Sequence, residues 1–143
     1  MRFYNICNIL ILLVAIAIGG VKADNDEDFQ KVIKTCEVEV PVNEEDMQVF
    51  MKSNMDPSKA TTPIKCQGKC ILEKQGFFVK GVFDDKAFLE KALNHPALKD
   101  RHAEVTKAVD MCKEKKGSDE CETAFNIGIC LKENKDFVFG QQQ

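Results

Sequence analysis

Residues 112–130 read CKEKKGSDECETAFNIGIC, and this stretch predicts the helix around which the rest of the chain is arranged. Three lysines followed by Gly117 are typical of a helix end, and Ser118 is predicted to cap the next helix. That helix is apolar around most of its circumference, which indicates a position in the middle of the fold. Cys121 and Cys130 are nine residues apart, so they point to opposite sides of it. Disulfides from these two cysteines would tie one central helix in two directions.

Five further helices are predicted upstream, because apolar residues recur there at three- and four-residue steps. They run over residues 29–40, from the cap Asn43 to before Asp56, over residues 64–75, from the cap Asp84 to His95, and over residues 98–112. Proline or glycine follows each of these segments and is expected to end it. Residues 77–83 are predicted to be a looped apolar stretch interrupted by Gly81. The predicted fold class is all-α, with about six helices.

Residues 1–23 have the features of a secretory signal peptide. Arg2 precedes ten unbroken apolar residues, and Val21-Lys22-Ala23 matches the small-x-small pattern of a cleavage site. Ten residues fall short of the roughly 20 that a membrane-spanning helix needs. We therefore expect a secreted protein whose mature domain covers residues 24–143, with residues 134–143 as a loosely attached tail.

Removal of the leader changes the counts that bear on function. Cys7 leaves with the leader, so six of the seven cysteines remain, an even number that can pair fully in an oxidising compartment. Arg2 and Lys22 also leave, which gives 18 basic against 23 acidic side chains and a formal net charge of −5. An acidic chain disfavours a nucleic-acid partner, which would require a basic face.

The six remaining cysteines are separated by 29, 3, 41, 8 and 8 residues. In this spacing the chain resembles the insect odorant-binding protein family, specifically its six-cysteine group of pheromone and general odorant-binding proteins. The resemblance implies a compact bundle of about six helices around an internal apolar cavity. It also implies three disulfides, which join Cys36 to Cys70, Cys66 to Cys121, and Cys112 to Cys130.

The residues alone leave the disulfide pairing open, because six cysteines allow fifteen pairings. The opposite directions of Cys121 and Cys130 fit the implied pattern, in which the two bind different helices. A tight turn at Gly117 and Ser118 would instead place Cys112 nearer to Cys121 than to Cys130. These two arguments conflict, and we expect the pairing that the resemblance implies.

Metal and catalytic chemistry have little support in the sequence. Cys66 and Cys70 have a spacing found in metal sites, but a zinc thiolate site needs two further ligands and protection from oxidation. A nucleophile needs a base within hydrogen-bond reach, and the two histidines, His95 and His102, belong to no nucleophile motif. We expect no catalytic activity, no metal and no cofactor.

Every aromatic residue after the leader is a phenylalanine, since Tyr4 is the one tyrosine and the chain has no tryptophan. A pocket without phenol or indole donors has fewer groups with which to recognise an oxygenated ligand. This favours a long aliphatic chain over a small alcohol, although core filling is the commoner role of any one phenylalanine. The residues predicted to line the pocket are Phe78, Phe83, Phe88, Leu93, Val109, Phe125 and Ile129.

A carboxylate head group could be held near the start of the fifth helix. Arg101 is the single arginine of the mature chain, and its planar guanidinium suits a carboxylate. His102 falls on the apolar stripe of Leu98, Val105 and Val109 and is predicted to face inward, where acidification would charge it and loosen the helix. The alternative is that Arg101 is a solvated surface charge and His102 a buried histidine bonded to a carbonyl.

The tail segment 136–139, Asp-Phe-Val-Phe, allows two predictions. It could close the cavity as a lid, as C-terminal segments do in some members of the family that the chain resembles. It could equally be a disordered terminus, since chain ends are usually mobile.

Two functions from different classes agree with these observations. The first is a soluble carrier that solubilises an odorant, pheromone or long-chain fatty acid and delivers it to a chemosensory receptor or a membrane. The alternative is a salivary or seminal interaction protein that acts through its surface. In both cases we expect a monomer or a weak homodimer, and the fold alone does not imply a role in olfaction.

Overall fold

The computed structural model describes the backbone of residues 23–96 and 98–134 and, from Asp28 onward, their side chains. Residues 1–22 of the predicted signal peptide and residues 135–143 of the predicted tail lie outside the described residues. Within the described ranges, no helix is both long enough and apolar enough to cross a membrane.

Six α-helices, one 3₁₀ turn and one two-stranded hairpin make up the described chain. They are α1 (Ala23–Glu39), α2 (Glu44–Lys52), the 3₁₀ turn Pro57–Lys59, α3 (Thr62–Lys74), β1 (Phe78–Val79), β2 (Val82–Phe83), α4 (Asp85–Leu93), α5 (His102–Cys112) and α6 (Glu120–Glu133). The predicted all-α fold class is confirmed.

Side chains cap the helices α2, α4 and α6 at their first turns. Asn43 Oδ1 accepts the backbone N–H of Glu45 at 2.8 Å. Asp84 Oδ1 accepts the backbone N–H of Ala87 at 3.0 Å. Each bond satisfies a donor that has no partner within its helix, which is why short polar residues are favoured at this position. The sequence predicts both caps correctly.

Ser118 is not the cap of α6, contrary to the prediction. Asp119 takes this role, and its Oδ1 accepts the backbone N–H of Glu122 at 2.8 Å. Ser118 instead donates its backbone N–H and its hydroxyl to the Glu122 carboxylate, each at 2.7 Å. Because aspartate and serine cap equally well, two neighbouring candidates cannot be ranked by residue type alone.

Helix α5 begins at His102 and not at Leu98. The backbone N–H of Leu98 donates to the carbonyl of His95 at 3.0 Å, and that of Arg101 donates to the carbonyl of Leu98 at 2.9 Å. These bonds close two successive turns ahead of the helix. Leu98 is nevertheless completely buried. Because it is apolar and has helical spacing to Val105, the prediction counted it as part of the helix although it lies in the preceding turns.

Residues 77–83 contain a β-hairpin where a loop was predicted. Phe78 pairs with Phe83 across the two strands, and the strand alternation buries both phenylalanines. The turn residues Lys80 and Gly81 have φ of 52° and 78°, the left-handed conformation that two-residue hairpin turns favour. Each strand has two residues, which is too short for an alternating pattern to be recognised in the sequence.

Three disulfides join the helices. The bonded pairs are Cys36–Cys70, Cys66–Cys121 and Cys112–Cys130, the same pairs that the resemblance implies. The argument from a tight turn at Gly117 and Ser118 was wrong. The chain between α5 and α6 instead spans seven residues and ends in extended backbone, with Asp119 at φ −146° and ψ 179°. This leaves Cys121 free to face α3 while Cys130 faces α5.

Candidate ligand-binding site

Helix α6 separates two apolar clusters in the interior of the protein. Ala124 and Ile127 face the first, and Phe125 and Ile129 face the second. The first, called here the phenylalanine cluster, has the buried members Leu72, Phe77, Phe78, Phe83, Phe88, Ala92, Leu98, Val105, Ala108, Val109, Ala124 and Ile127. The second, called the methionine cluster, contains Met47, Phe50, Met55, Ile64 and Phe125, with Val42, Met51, Ala60 and Ile129 packed against them.

The structure distributes the predicted lining residues over both clusters. Five belong to the phenylalanine cluster and two to the methionine cluster: Phe78, Phe83, Phe88, Val109 and the partly buried Leu93, and then Phe125 and Ile129. Seven residues that were predicted to line one pocket are therefore not brought together in one cluster. Helical periodicity identifies the buried faces of α6 but not the neighbour that each face meets.

Aromatic rings determine the packing of the phenylalanine cluster. The Phe88 ring lies 5.2 Å from that of Phe77 in an edge-on contact and 5.7 Å from that of Phe83 in a tilted one, measured between ring centroids. These are favourable arrangements for aromatic pairs. Residues 77–83 and α4 thus hold three rings against one another within the cluster to which α5 and α6 also contribute.

The interior is almost devoid of polar side chains. Among the described residues, the buried polar ones are Gln67 and Thr123. Gln67 Nε2 donates to the carbonyl of Val40 at 3.1 Å, and Thr123 Oγ1 accepts the backbone N–H of Gly117 at 3.0 Å. No group of three or more metal-ligating side chains occurs in this part of the chain. What the interior offers a ligand is therefore mainly apolar contact.

His102 is exposed, so the prediction that it faces inward was wrong. It is in helical phase with Val105 and Val109 but is the first residue of α5, and Leu98, which was expected to continue the helix before it, belongs to the preceding turns. The stripe that does point inward begins at Val105. Arg101 immediately precedes α5 and is half-buried, and its role in binding a head group stays a prediction.

A shallow surface depression of about 600 Å³ runs along the outer face of α5. Its lining consists of His102, Ala103, Thr106, Lys107, Asp110 and Met111. The opposite face of α5 contributes Val105 and Val109 to the phenylalanine cluster. The depression that contains His102 is thus separated from the apolar interior by the thickness of the helix.

Three features near the clusters escaped the sequence analysis. The apolar side predicted for the second helix includes Met47, Phe50 and Met51 but not Met55, which continues the four-residue interval and is buried in the same cluster. Lys132 Nζ donates to the carbonyl of Asn54 at 2.6 Å, a contact between residues 78 positions apart that no local pattern could indicate. His95, half-buried after α4, has its pKa lowered by burial.

Comparison with known proteins agrees with this architecture. Among curated proteins, no sequence matches the chain. The fatty acid binding protein OBP56a from the oral disk of the blowfly Phormia regina has a similar structure, with a TM-score of 0.67 and 28% sequence identity. The similarity covers 82% of this chain and 97% of the blowfly protein. The PBP/GOBP family model matches residues 20–134, and the chain belongs to this family.

Proposed function

We propose that this protein is a secreted carrier that binds a long-chain fatty acid in extracellular fluid and keeps it in solution. Membership of the PBP/GOBP family, together with the helical fold, supports a carrier of hydrophobic small molecules and not an enzyme. The blowfly protein of similar structure is a fatty acid binding protein. Three disulfides suit an extracellular protein, because such bonds persist in oxidising compartments.

The apolar interior is the observation that carries this proposal. Two clusters on either side of α6 present aromatic, branched and thioether side chains, and the buried side chains of Gln67 and Thr123 have hydrogen-bond partners. Among the described residues, two buried polar side-chain atoms have no such partner, Thr61 Oγ1 and Gln75 Oε1. A small oxygenated ligand would find few groups to bond there. A long alkyl chain needs only contact area, and each buried methylene contributes about 0.8 kcal/mol.

Chain length provides the test. The mature protein, residues 24–143, is delipidated and saturated with a fluorescent fatty acid, which is then displaced by saturated acids of 10 to 18 carbons. Because each methylene contributes about 0.8 kcal/mol, we expect affinity to rise about fourfold per added carbon until the chain fills the site. Hexanol should displace the probe poorly.

Two results would contradict the proposal. If the probe does not bind, the interior is a packed core, and a function through the protein surface is favoured. If affinity does not depend on chain length, the ligand is held by something other than apolar burial. The same titration of Arg101→Ala with acid and alcohol tests whether Arg101 contacts the head group.

A further inference from the structure

The outer face of the β-hairpin exposes two valines side by side. Val79 and Val82 pair across the strands, and 51% and 62% of their surfaces are accessible to solvent. Because side chains alternate along a strand, the register that buries Phe78 and Phe83 in the phenylalanine cluster turns both valines outward. The two valines therefore form one apolar spot at the tip of the hairpin.

Lys80 places a cation beside these valines. It shares the two-residue turn with Gly81 and has a φ of 52°, a conformation that asparagine and glycine adopt more readily than lysine does. Among the described residues, no carboxylate lies within ion-pair distance of Lys80, whereas Lys69, Lys74 and Lys113 are each paired with one. The tip thus combines an apolar spot with an ammonium group that can accept an anionic partner.

Helix α6 supports the turn from behind. The side chain of Glu120 lies so close to Gly81 that a β-carbon at that position would collide with it. The Glu120 carboxylate has its own cation, since Oε2 lies 3.0 Å from Lys69 Nζ of α3. Glycine at position 81 therefore allows the hairpin to pack against α6, and the neighbouring acid is already paired.

The size of this surface favours a lipid bilayer over a protein partner or a second copy of the chain. A stable protein interface buries about 800 Å² on each partner, far more than two valines and a turn provide. A bilayer requires no complementary pocket, because its boundary between headgroups and acyl chains accepts small apolar side chains. A lysine beside them can lie along this boundary and keep its ammonium among the headgroup phosphates.

We propose that the hairpin tip, residues 79–82, docks the protein on a phospholipid surface, with both valines against the acyl chains and Lys80 on a headgroup phosphate. This contact goes beyond the proposed function, because it requires no bound ligand. Two valines and one cation support only weak contact, which allows a carrier to leave the membrane again. The net charge of −5 of residues 24–143 opposes approach to an anionic membrane, so we expect docking on zwitterionic phosphatidylcholine.

Tryptophan fluorescence tests this contact, because residues 24–143 contain no tryptophan. Val82→Trp adds one indole at the tip, and phosphatidylcholine vesicles should shift its emission to shorter wavelength. Vesicles with brominated acyl chains should quench this emission. Val38→Trp, at an even more exposed valine of α1, is the matched control and should show neither effect.

Two second-site changes in the Val82→Trp protein test the two parts of the tip. Val79→Asp replaces an apolar contact by a charge that phosphate repels, and it should raise the lipid concentration at half-saturation about tenfold. Lys80→Gln should raise it about two- to fivefold, the contribution of an exposed ion pair. All of these side chains are exposed, and circular dichroism verifies that helicity is retained.

Four results would overturn the proposal. The first is an emission of Val82→Trp that millimolar lipid neither shifts nor quenches, and the second is equal quenching of Val38→Trp. The third is an unchanged half-saturation after Val79→Asp. The fourth is a shift that grows with protein concentration in the absence of lipid, which would identify a second copy as the occupant. Because no ligand is present in these measurements, failure of fatty acid displacement would affect the proposed function alone.

Discussion

Loss of the Cys66–Cys121 disulfide should destabilise the protein more than loss of any ion pair at the same interface. The bridge connects α3 to α6 across a sequence separation of 55 residues, the largest of the three. For a loop of this length, the chain-entropy relation gives about 4 kcal/mol. Serine fits where the half-buried cysteines stood, so we expect Cys66→Ser/Cys121→Ser to lower the free energy of unfolding by about that amount.

Two ion pairs flank this bridge and cannot replace it. Lys65 Nζ lies 3.1 Å from a Glu122 oxygen, and Lys69 Nζ lies 3.0 Å from a Glu120 oxygen. Such partly exposed pairs each contribute about 0–1 kcal/mol. The single variant Lys69→Met is therefore a control at the same interface, and its free energy of unfolding should fall by about 1 kcal/mol or less.

Urea unfolding followed by circular dichroism measures both variants under non-reducing conditions, which leave the other two bridges intact. The double serine variant should also show a larger m-value, because its unfolded chain is less restricted. A loss below about 1 kcal/mol would refute the reasoning. It would show that packing between α3 and α6 determines the stability of the interface and that the cross-link constrains the unfolded chain far less than its length implies.

Three further predictions concern the core and the response to pH. Ile127→Ala removes a side chain of the phenylalanine cluster that is 1% exposed, and urea unfolding should show a free energy of unfolding lower by about 2–5 kcal/mol. The control Val79→Ala, on the exposed face of the hairpin, should leave the free energy of unfolding nearly unchanged. The hydrogen bonds from the backbone and hydroxyl of Ser118, and then from Lys65, lower the pKa of Glu122 to about 2. The ionised carboxylate therefore contributes its full stabilisation above the pKa of about 4.3 that it has in the unfolded chain, and this stabilisation is lost as the pH falls towards 2. In Glu122→Gln the melting temperature should decrease less between about pH 4.3 and pH 2 than in the wild-type protein. An equal decrease in both proteins would mean that other carboxylates cause it. Burial lowers the pKa of His95, so the unfolded chain takes up a proton first and stability should decline as the pH falls below about 6.5. His95→Asn should remove that decline between pH 7 and pH 5, whereas the same decline in the variant would exclude His95 as its source.

Features that depend on a few neighbouring residues are the ones that the sequence predicts well. Asn43 and Asp84 cap helices through bonds to residues two or three positions away, so their role can be recognised without knowledge of the fold. The disulfide pairing was expected from the resemblance, because the geometric arguments from the residues conflicted: the opposite directions of Cys121 and Cys130 fit it, whereas a tight turn favoured Cys112 with Cys121. That argument assumed an idealised turn, and the actual connection is too long and too extended to follow it.

The site was predicted less well, because its arrangement depends on contacts between distant parts of the chain. The predicted phenylalanines are buried, yet Phe125 meets Phe50 of α2, 75 positions earlier, while Phe88 meets Phe77 and Phe83 close to it in sequence. His102 was assigned to the interior because it is in phase with Val105 and Val109 of α5 as well as with Leu98. In the structure it is the first residue of the helix and is exposed, and the buried stripe begins at Val105. A periodic pattern cannot reveal where a helix begins, so it extended α5 over the turns that contain Leu98.

The positions of the disulfides indicate which part of the protein can adjust to a ligand. Helix α6 is fixed at Cys121 to α3 and at Cys130 to α5, and it forms a wall of both clusters. Helix α2 contains no cysteine and packs through apolar side chains, and the turn that follows it accepts the bond from Lys132 at Asn54. Side-chain packing and one lysine bond yield at far lower cost than a covalent bridge. Room for an alkyl chain is therefore more readily made by movement of α2 and its methionines than by movement of α6, so the methionine cluster is the compartment that we expect to open.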